Sequence, residues 1–146
     1  MIRLGSAEAT DAVGRRLANL LRPGDVIALF GDLGAGKTTL TRGILCGLGH
    51  AGDVASPTFP IVIPYDDLPL PVWHVDLYRI EAAAEIEELA LDDALLDGAL
   101  VIEWPERLGA MLWPHALRLH LTVAGEGSRA LTAQVPPAWE GRWPPR

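Results

Sequence analysis

An apolar pentad, Val26-Ile27-Ala28-Leu29-Phe30, runs directly into Gly31-Asp32-Leu33-Gly34-Ala35-Gly36-Lys37-Thr38-Thr39, and a helical pattern with Leu40, Ile44, Leu45 and Leu48 follows. Gly31, Gly36, Lys37 and Thr38 meet the spacing G-x-x-x-x-G-K-[ST], and the strand and helix on either side are the context that gives this spacing meaning. Glycines let the loop turn tightly and approach an anion without Cβ clashes. Backbone N–H groups converging at a helix N-terminus form an anion-binding nest. Lys37 adds a point charge for β- and γ-phosphates, and the Thr38 hydroxyl is placed for Mg²⁺. The first expectation is therefore a site for nucleotide phosphates.

The remaining elements are read from periodicity. Ser6 is a helix N-cap with Glu8 in the first turn, and Ala9, Val13, Leu17, Leu20 and Leu21 recur at helical spacing up to the turn at Pro23-Gly24. Gly43 and Gly47 fall on one face of the helix after the loop, and Gly49 suits its C′ position. Ile61 to Tyr65 is a short strand that Pro64 keeps from a central position. Val72 to Tyr78 is a further strand. Glu81 to Gly98 is helical, with Ile86, Leu89 and Leu96 on the apolar side and Asp92 placed to cap a second short helix. Ala99 to Ile102 is a buried strand. Leu117 to Val123 and Ala130 to Val135 alternate with period two around a turn at Gly125-Glu126-Gly127-Ser128. Buried strands alternating with helices early, and a hairpin late, predict an α/β fold. Its sheet is mixed and largely parallel, flanked by helices, with antiparallel edge strands. Residues 1–135 read as a single domain and 136–146 as a loose Pro-rich C-terminal tail.

A nucleotide-bound Mg²⁺ needs an acidic residue at the end of a buried strand besides the loop threonine. Glu103 ends one such run, before Trp104-Pro105, and Asp76 ends another, before Leu77-Tyr78-Arg79. Both stand where ligands bind in open α/β sheets. Either reads as a metal ligand or as a solvated strand end, and Asp76 also as the group that orients or deprotonates an attacking water. Ser56-Pro57-Thr58 reads as a loop sensing the γ-phosphate or as a plain proline turn. Arg79 suits phosphate, a partner's carboxylate or solvent. Trp104 suits stacking or gap-filling. His74 reads more readily as structural than as a ligand. Arg42, Arg79 or a partner's arginine could each serve as an arginine finger.

Composition narrows the function classes. A formal charge of −7 over 146 residues argues against a broad basic surface that binds nucleic acid unaided. A single cysteine, Cys46, excludes an internal disulfide and suits a reducing compartment. No apolar run reaches the length of a membrane span, and Met1-Ile2-Arg3-Leu4-Gly5 opens no signal-peptide pattern, so a cytoplasmic protein without membrane contact is expected.

Several segments together resemble one family, the bacterial TsaE (YjeE) ATPases of tRNA threonylcarbamoyladenosine biosynthesis. The residues that carry the resemblance are Gly31 to Thr39, Arg42-Gly43, Ser56-Pro57-Thr58-Phe59, His74-Val75-Asp76-Leu77-Tyr78-Arg79, Glu85 with Leu89, and Ile102-Glu103-Trp104-Pro105. Their order matches the family, and the match spans roughly residues 4–123. The resemblance implies a P-loop NTPase fold and a small ATPase, weak alone, that uses ATP and Mg²⁺. It also implies work with TsaD and TsaB proteins, which place a threonylcarbamoyl group on adenosine 37 of tRNAs reading codons that begin with A; contact with tRNA would be indirect, through that complex. On this resemblance Thr38 and Glu103 hold Mg²⁺, and Gly34, Ala35, Gly36, Lys37, Thr38 and Thr39 bind the phosphates. Lys37, Asp76 and Glu103 would be the catalytic set, with Ser56-Pro57-Thr58 a switch-like loop in which Thr58 meets the nucleotide. The segment with Ser6, Ala7 and Thr10 would lie near the adenine, and Trp104 beside the nucleotide. Ala90 stands where the family usually has glycine, which puts that turn's geometry in question. The chain beyond Val123 carries none of these motifs. Two alternatives share the loop: a small-molecule or nucleoside kinase, and a nucleotide-dependent assembly module. The kinase fits poorly, because residues 81–98 hold seven acidic side chains and no Lys or Arg, a poor lid for phosphates.

Overall fold

The apolar pentad forms the central strand of a seven-stranded sheet in the computed structural model, which describes residues 2–145 except Leu33, Asp53, 55–60 and the Ala83 side chain. The strands are β1 (Ile2–Leu4), β2 (Val26–Phe30), β3 (Val62–Tyr65), β4 (Val72–Asp76), β5 (Ala99–Glu103), β6 (Leu117–Gly125) and β7 (Ser128–Gln134). The helices are α1 (Ala7–Ala18), α2 (Lys37–Gly47) and the short α3 (Ala83–Glu88), with 3₁₀ segments at Leu91–Leu96, Pro105–Met111 and Pro137–Trp139. Strand order is β1-β7-β6-β2-β5-β4-β3. Pairing is parallel across β6, β2, β5 and β4, and antiparallel where β7 and β1 join one edge and β3 the other. The predicted mixed α/β sheet is therefore present. Pro64 sits on edge strand β3, where a missing N–H costs no ladder bond. Strand β1 was not foreseen; three residues are too few to show a period.

Side chains alternate across the sheet. Ile27, Leu29, Val101, Leu117, Leu119 and Leu121 face α1 and α2, while Val26, Ala28, Leu100 and Ile102 face the α3 side. Leu17, Leu40, Ile44 and Leu45 are fully buried between the helices and the sheet. Each contributes about 1.5–3 kcal/mol relative to leaving it exposed. Ser6 caps α1, its Oγ accepting from the Ala9 N–H at 3.1 Å. At the end of α2, Gly49 (φ 110°) donates its N–H to the Cys46 carbonyl and His50 donates to Leu45, a Schellman ending. Helices α1 and α2 touch through glycine: a Cβ on Gly43 would lie 2.2 Å from the Asp11 carbonyl oxygen.

Three expectations are corrected. Asp92 does not cap a helix; Ala90 (φ 52°) holds that position, and the Asp92 carboxylate accepts from the Trp113 indole at 3.0 Å. Leu96 is 83% exposed, because the helix breaks at Ala90 and the apolar stripe read over 81–98 does not continue through it. The residues read as a loose tail are folded onto the body. Trp139 is fully buried, and Arg142 makes two bonds to the Asp25 carboxylate, at 2.7 and 3.1 Å, while lying 3.9 Å over the Trp139 ring.

Candidate nucleotide site

Strand β2 delivers the glycine-rich loop to the carboxyl edge of the sheet, and its neighbours deliver the acids. Glu103 is the last residue of β5 and lies in register with Leu29 of β2; Asp76 is the last residue of β4 and lies in register with Glu103. Parallel pairing thus sets both carboxylates side by side beside the loop. Gly36, at φ 103°, turns the chain into α2 in a conformation that a side chain would strain. Gly34, Gly36, Lys37, Thr38, Thr39, Asp76, Tyr78, Arg79, Glu103, Trp104 and Arg129 line one cleft of about 470 Å³.

Within it, Lys37 is buried, donates from Nζ to the Gly31 carbonyl at 2.7 Å and stands 4.2 Å over the Trp104 ring. Trp104 (φ 57°) is held in the left-handed region and leans on Tyr78, with ring centroids 4.9 Å apart. Asp76 Oδ1 accepts from the Tyr78 N–H at 2.9 Å, a local turn that aims the carboxylate. Burial, reinforced by the Glu103 charge, pushes the Asp76 carboxyl above the usual carboxylate range; the Tyr78 N–H, the Lys37 ammonium and His74 oppose this. Glu103 and His74 are both buried, and His74 donates from Nε2 to Glu103 Oε2 at 2.6 Å. That bond fixes the plane of the Glu103 carboxylate, as partners behind metal-ligating carboxylates do. His74 shares a strand face with Asp76 two residues on, so period two signalled its side, but Glu103, 29 residues away, could not be read as its partner.

A hydroxyl from Thr38 and a carboxylate from Glu103 facing one cleft suit Mg²⁺, which keeps most of its waters and takes few protein ligands besides phosphate oxygens. Among the described residues no group of three or more His, Cys, Asp or Glu could hold a metal by itself.

The other expected site residues fall into place as follows. Ala7 and Thr10 line a smaller pocket of about 140 Å³ that shares Gly36, Thr39 and Arg129 with the main cleft. The Thr10 hydroxyl is turned to the Ser6 carbonyl at 3.3 Å, leaving its methyl toward Gly36. Ala35 is buried within the loop and does not line the cleft. Arg42 is exposed on α2. Thr58, with Ser56 and Pro57, lies outside the described residues. Arg129 was not anticipated. It follows the hairpin turn, in a stretch with no motif, and only the antiparallel return of β7 brings it to the loop.

The family description "Threonylcarbamoyl adenosine biosynthesis protein TsaE" matches residues 4–131. The chain belongs to the TsaE family. It is 46% identical over 140 residues to the TsaE protein of Streptomyces coelicolor, covering 84% of this chain and 95% of that one. It is 40% identical over 131 residues to the TsaE protein of Bacillus subtilis, covering 89% and 82%. The crystal structure of YdiB from Bacillus subtilis superposes with a TM-score of 0.81 at 34% identity, covering 96% of this chain and 88% of that chain. The chain is thus a P-loop-type member of a family named for tRNA threonylcarbamoyladenosine biosynthesis. Among the described residues, no helix is long and apolar enough to cross a membrane.

Proposed function

We propose that this chain is a Mg²⁺-dependent ATPase of the cytoplasm that supports TsaB- and TsaD-type proteins in forming the threonylcarbamoyl group on adenosine 37 of tRNAs reading codons that begin with A. The observation that carries this reading is the convergence of Lys37, Thr38, Asp76 and Glu103 on one cleft, from the loop and from two paired strand ends. Family membership supports the pathway.

Each residue has a role that follows from its place. The N–H groups at the start of α2 and the Lys37 ammonium bind the β- and γ-phosphates. Thr38 and Glu103 hold Mg²⁺, which neutralises charge on the phosphate oxygens when bound. His74 keeps the Glu103 carboxylate oriented. Asp76, at the strand end and partly desolvated, orients the attacking water. Ala7 and Thr10 border the adenine, and Trp104 and Tyr78 wall the cleft at the phosphate end. Thr58 belongs to the switch-like loop.

The test is ATP hydrolysis by the chain alone and with the TsaB and TsaD proteins and tRNA, with Mg²⁺ or with a chelator. Hydrolysis is expected to be weak alone, to rise with the partners and to vanish with the chelator. Lys37→Ala should weaken ATP binding. Asp76→Ala should keep ATP binding and complex assembly but abolish tRNA modification. Full modification by that variant would reduce the chain to an assembly module, and robust phosphate transfer to a small acceptor would make it a kinase.

A further inference from the structure

Arg129 stands at the start of β7, in register with Leu4 of β1 on one side and Val123 of β6 on the other, so two strands fix its backbone. Its guanidinium reaches the glycine-rich loop, Nε donating to the Ala35 carbonyl at 3.1 Å and Nη2 to the Gly34 carbonyl at 3.0 Å. Nη1 donates to its own neighbour, the Ser128 carbonyl, at 2.9 Å. Two consecutive carbonyls of the loop are thus held by one planar fork, a geometry that guanidinium offers and an ammonium does not. A trans peptide is planar and points its N–H opposite its C=O. Holding the Ala35 carbonyl therefore turns the Gly36 N–H away from Arg129. Holding the Gly34 carbonyl fixes the preceding plane, whose N–H belongs to Ala35 and donates to the Asp32 carbonyl at 3.1 Å. Gly34 (φ 79°) and Gly36 (φ 103°) flank this segment and ease rotation of both planes; Arg129 adds a restraint from outside the loop to the Ala35–Asp32 bond within it. Among the described residues the hydrogen bonds of Arg129 go to carbonyls and none to a carboxylate, so its charge is not cancelled by a bound acid. The side chain also borders both the phosphate cleft and the smaller pocket with Ala7 and Thr10.

We propose that Arg129 is a positioning residue for the nucleoside di- or triphosphate, holding the Gly34-Ala35-Gly36 backbone in its phosphate-binding form from the β6–β7 hairpin. The inference rests on the reading of the cleft as a nucleotide site. Its strength should appear in binding of both ADP and ATP, because it acts on the loop and not on the γ-phosphate alone.

The test compares the full chain with Arg129→Ala and Arg129→Lys in ADP and ATP binding, in hydrolysis with the partner proteins and Mg²⁺, and in hydrogen exchange of the 34–36 amides without nucleotide. Arg129→Ala is expected to weaken both nucleotides about tenfold, the loss typical of charge-assisted hydrogen bonds. KM for ATP should rise in step, with kcat changed less than about threefold and the loop amides exchanging faster. Arg129→Lys keeps the charge without the fork and should share most of the loss. Parental binding and exchange in Arg129→Ala, or full rescue by lysine, would overturn the proposal. If the parent bound neither ADP nor ATP, the ATPase reading would fall, and amide exchange would still decide whether Arg129 orders the loop.

Discussion

Asp76 and Ala90 each occupy a position that works against stability, for different reasons. The Asp76 carboxyl is pushed above its usual range mainly by burial. A raised folded-state value means that the folded chain binds the proton more tightly than the unfolded chain. The group is then neutral to stability below its unfolded value and weakens the fold as pH rises through the folded one. Asp76→Asn, whose Oδ1 can still accept the Tyr78 N–H, is therefore expected to melt higher than the parent near neutral pH, without nucleotide or metal. The gap should close below pH ~4, under the ordinary value of an unfolded Asp carboxyl, where Asp76 is protonated in both the folded and the unfolded chain and is as uncharged as asparagine. Thermal melts across that range check this, and a variant that melts lower at neutral pH would refute it. The same variant should lose hydrolysis, the usual exchange of stability for function at a site. At Ala90 the cost is in the backbone, with φ 52° and ψ 46°. A residue with a Cβ pays roughly 1–2 kcal/mol there, and glycine does not. Allowing for glycine's freer unfolded state, Ala90→Gly should stabilise by up to about 1 kcal/mol. Denaturant unfolding, with a raised midpoint and unchanged slope, is the measurement.

At the level of elements, the phosphate loop is held between α2 and the β6–β7 hairpin, and α2 is seated on α1 by close backbone approach. At Gly43 a Cβ would fall 2.2 Å from the Asp11 carbonyl oxygen, which belongs to a helix backbone and cannot swing aside. Gly43→Ala gains about 1 kcal/mol in helix propensity. Separating the helices to admit the methyl costs about 1–3 kcal/mol or more, so the net effect should be destabilising. Because α2 starts at Lys37, the shift should also weaken ATP binding. An alanine variant as stable as the parent would show that the two helices are not packed this closely. At α3 the first turn is closed by Glu85, which accepts from the N–H groups of Glu81 at 2.8 Å and Ala82 at 2.9 Å, and these bonds draw its carboxyl below the usual range.

Across the whole molecule, the last residues close the face of the sheet that α1 and α2 cover. Trp139 joins the same buried cluster as Leu4, Leu17 and Leu131, and Arg142 ties it to Asp25 ahead of β2. Trp139→Ala should cost about 3–5 kcal/mol, as large-to-small changes in a core do. For a chain of this length that lowers the melting temperature by roughly 10 °C. Removal of residues 136–146 should do at least as much. A truncated chain that melted like the parent would return these residues to the status of a tail.

What the sequence determined by itself lies where local pattern carries the physics. The loop, its strand and its helix are contiguous, and the spacing of Gly31, Gly36, Lys37 and Thr38 between an apolar run and a helical pattern declares them together. Asp76 and Glu103 were legible because each ends an apolar run, and the order of runs and helices announced a mixed α/β sheet. Tertiary structure decided everything that depends on which distant segments pair. It set Asp76 beside Glu103, placed His74 behind Glu103, and brought Arg129 onto the loop from about 95 residues away. It also buried Trp139, whose Pro-rich neighbours read as loose because proline shows no period. Periodicity reports which face a residue occupies, whereas strand order and register decide what stands opposite that face; these come from the global burial of apolar surface and from no local run of residues.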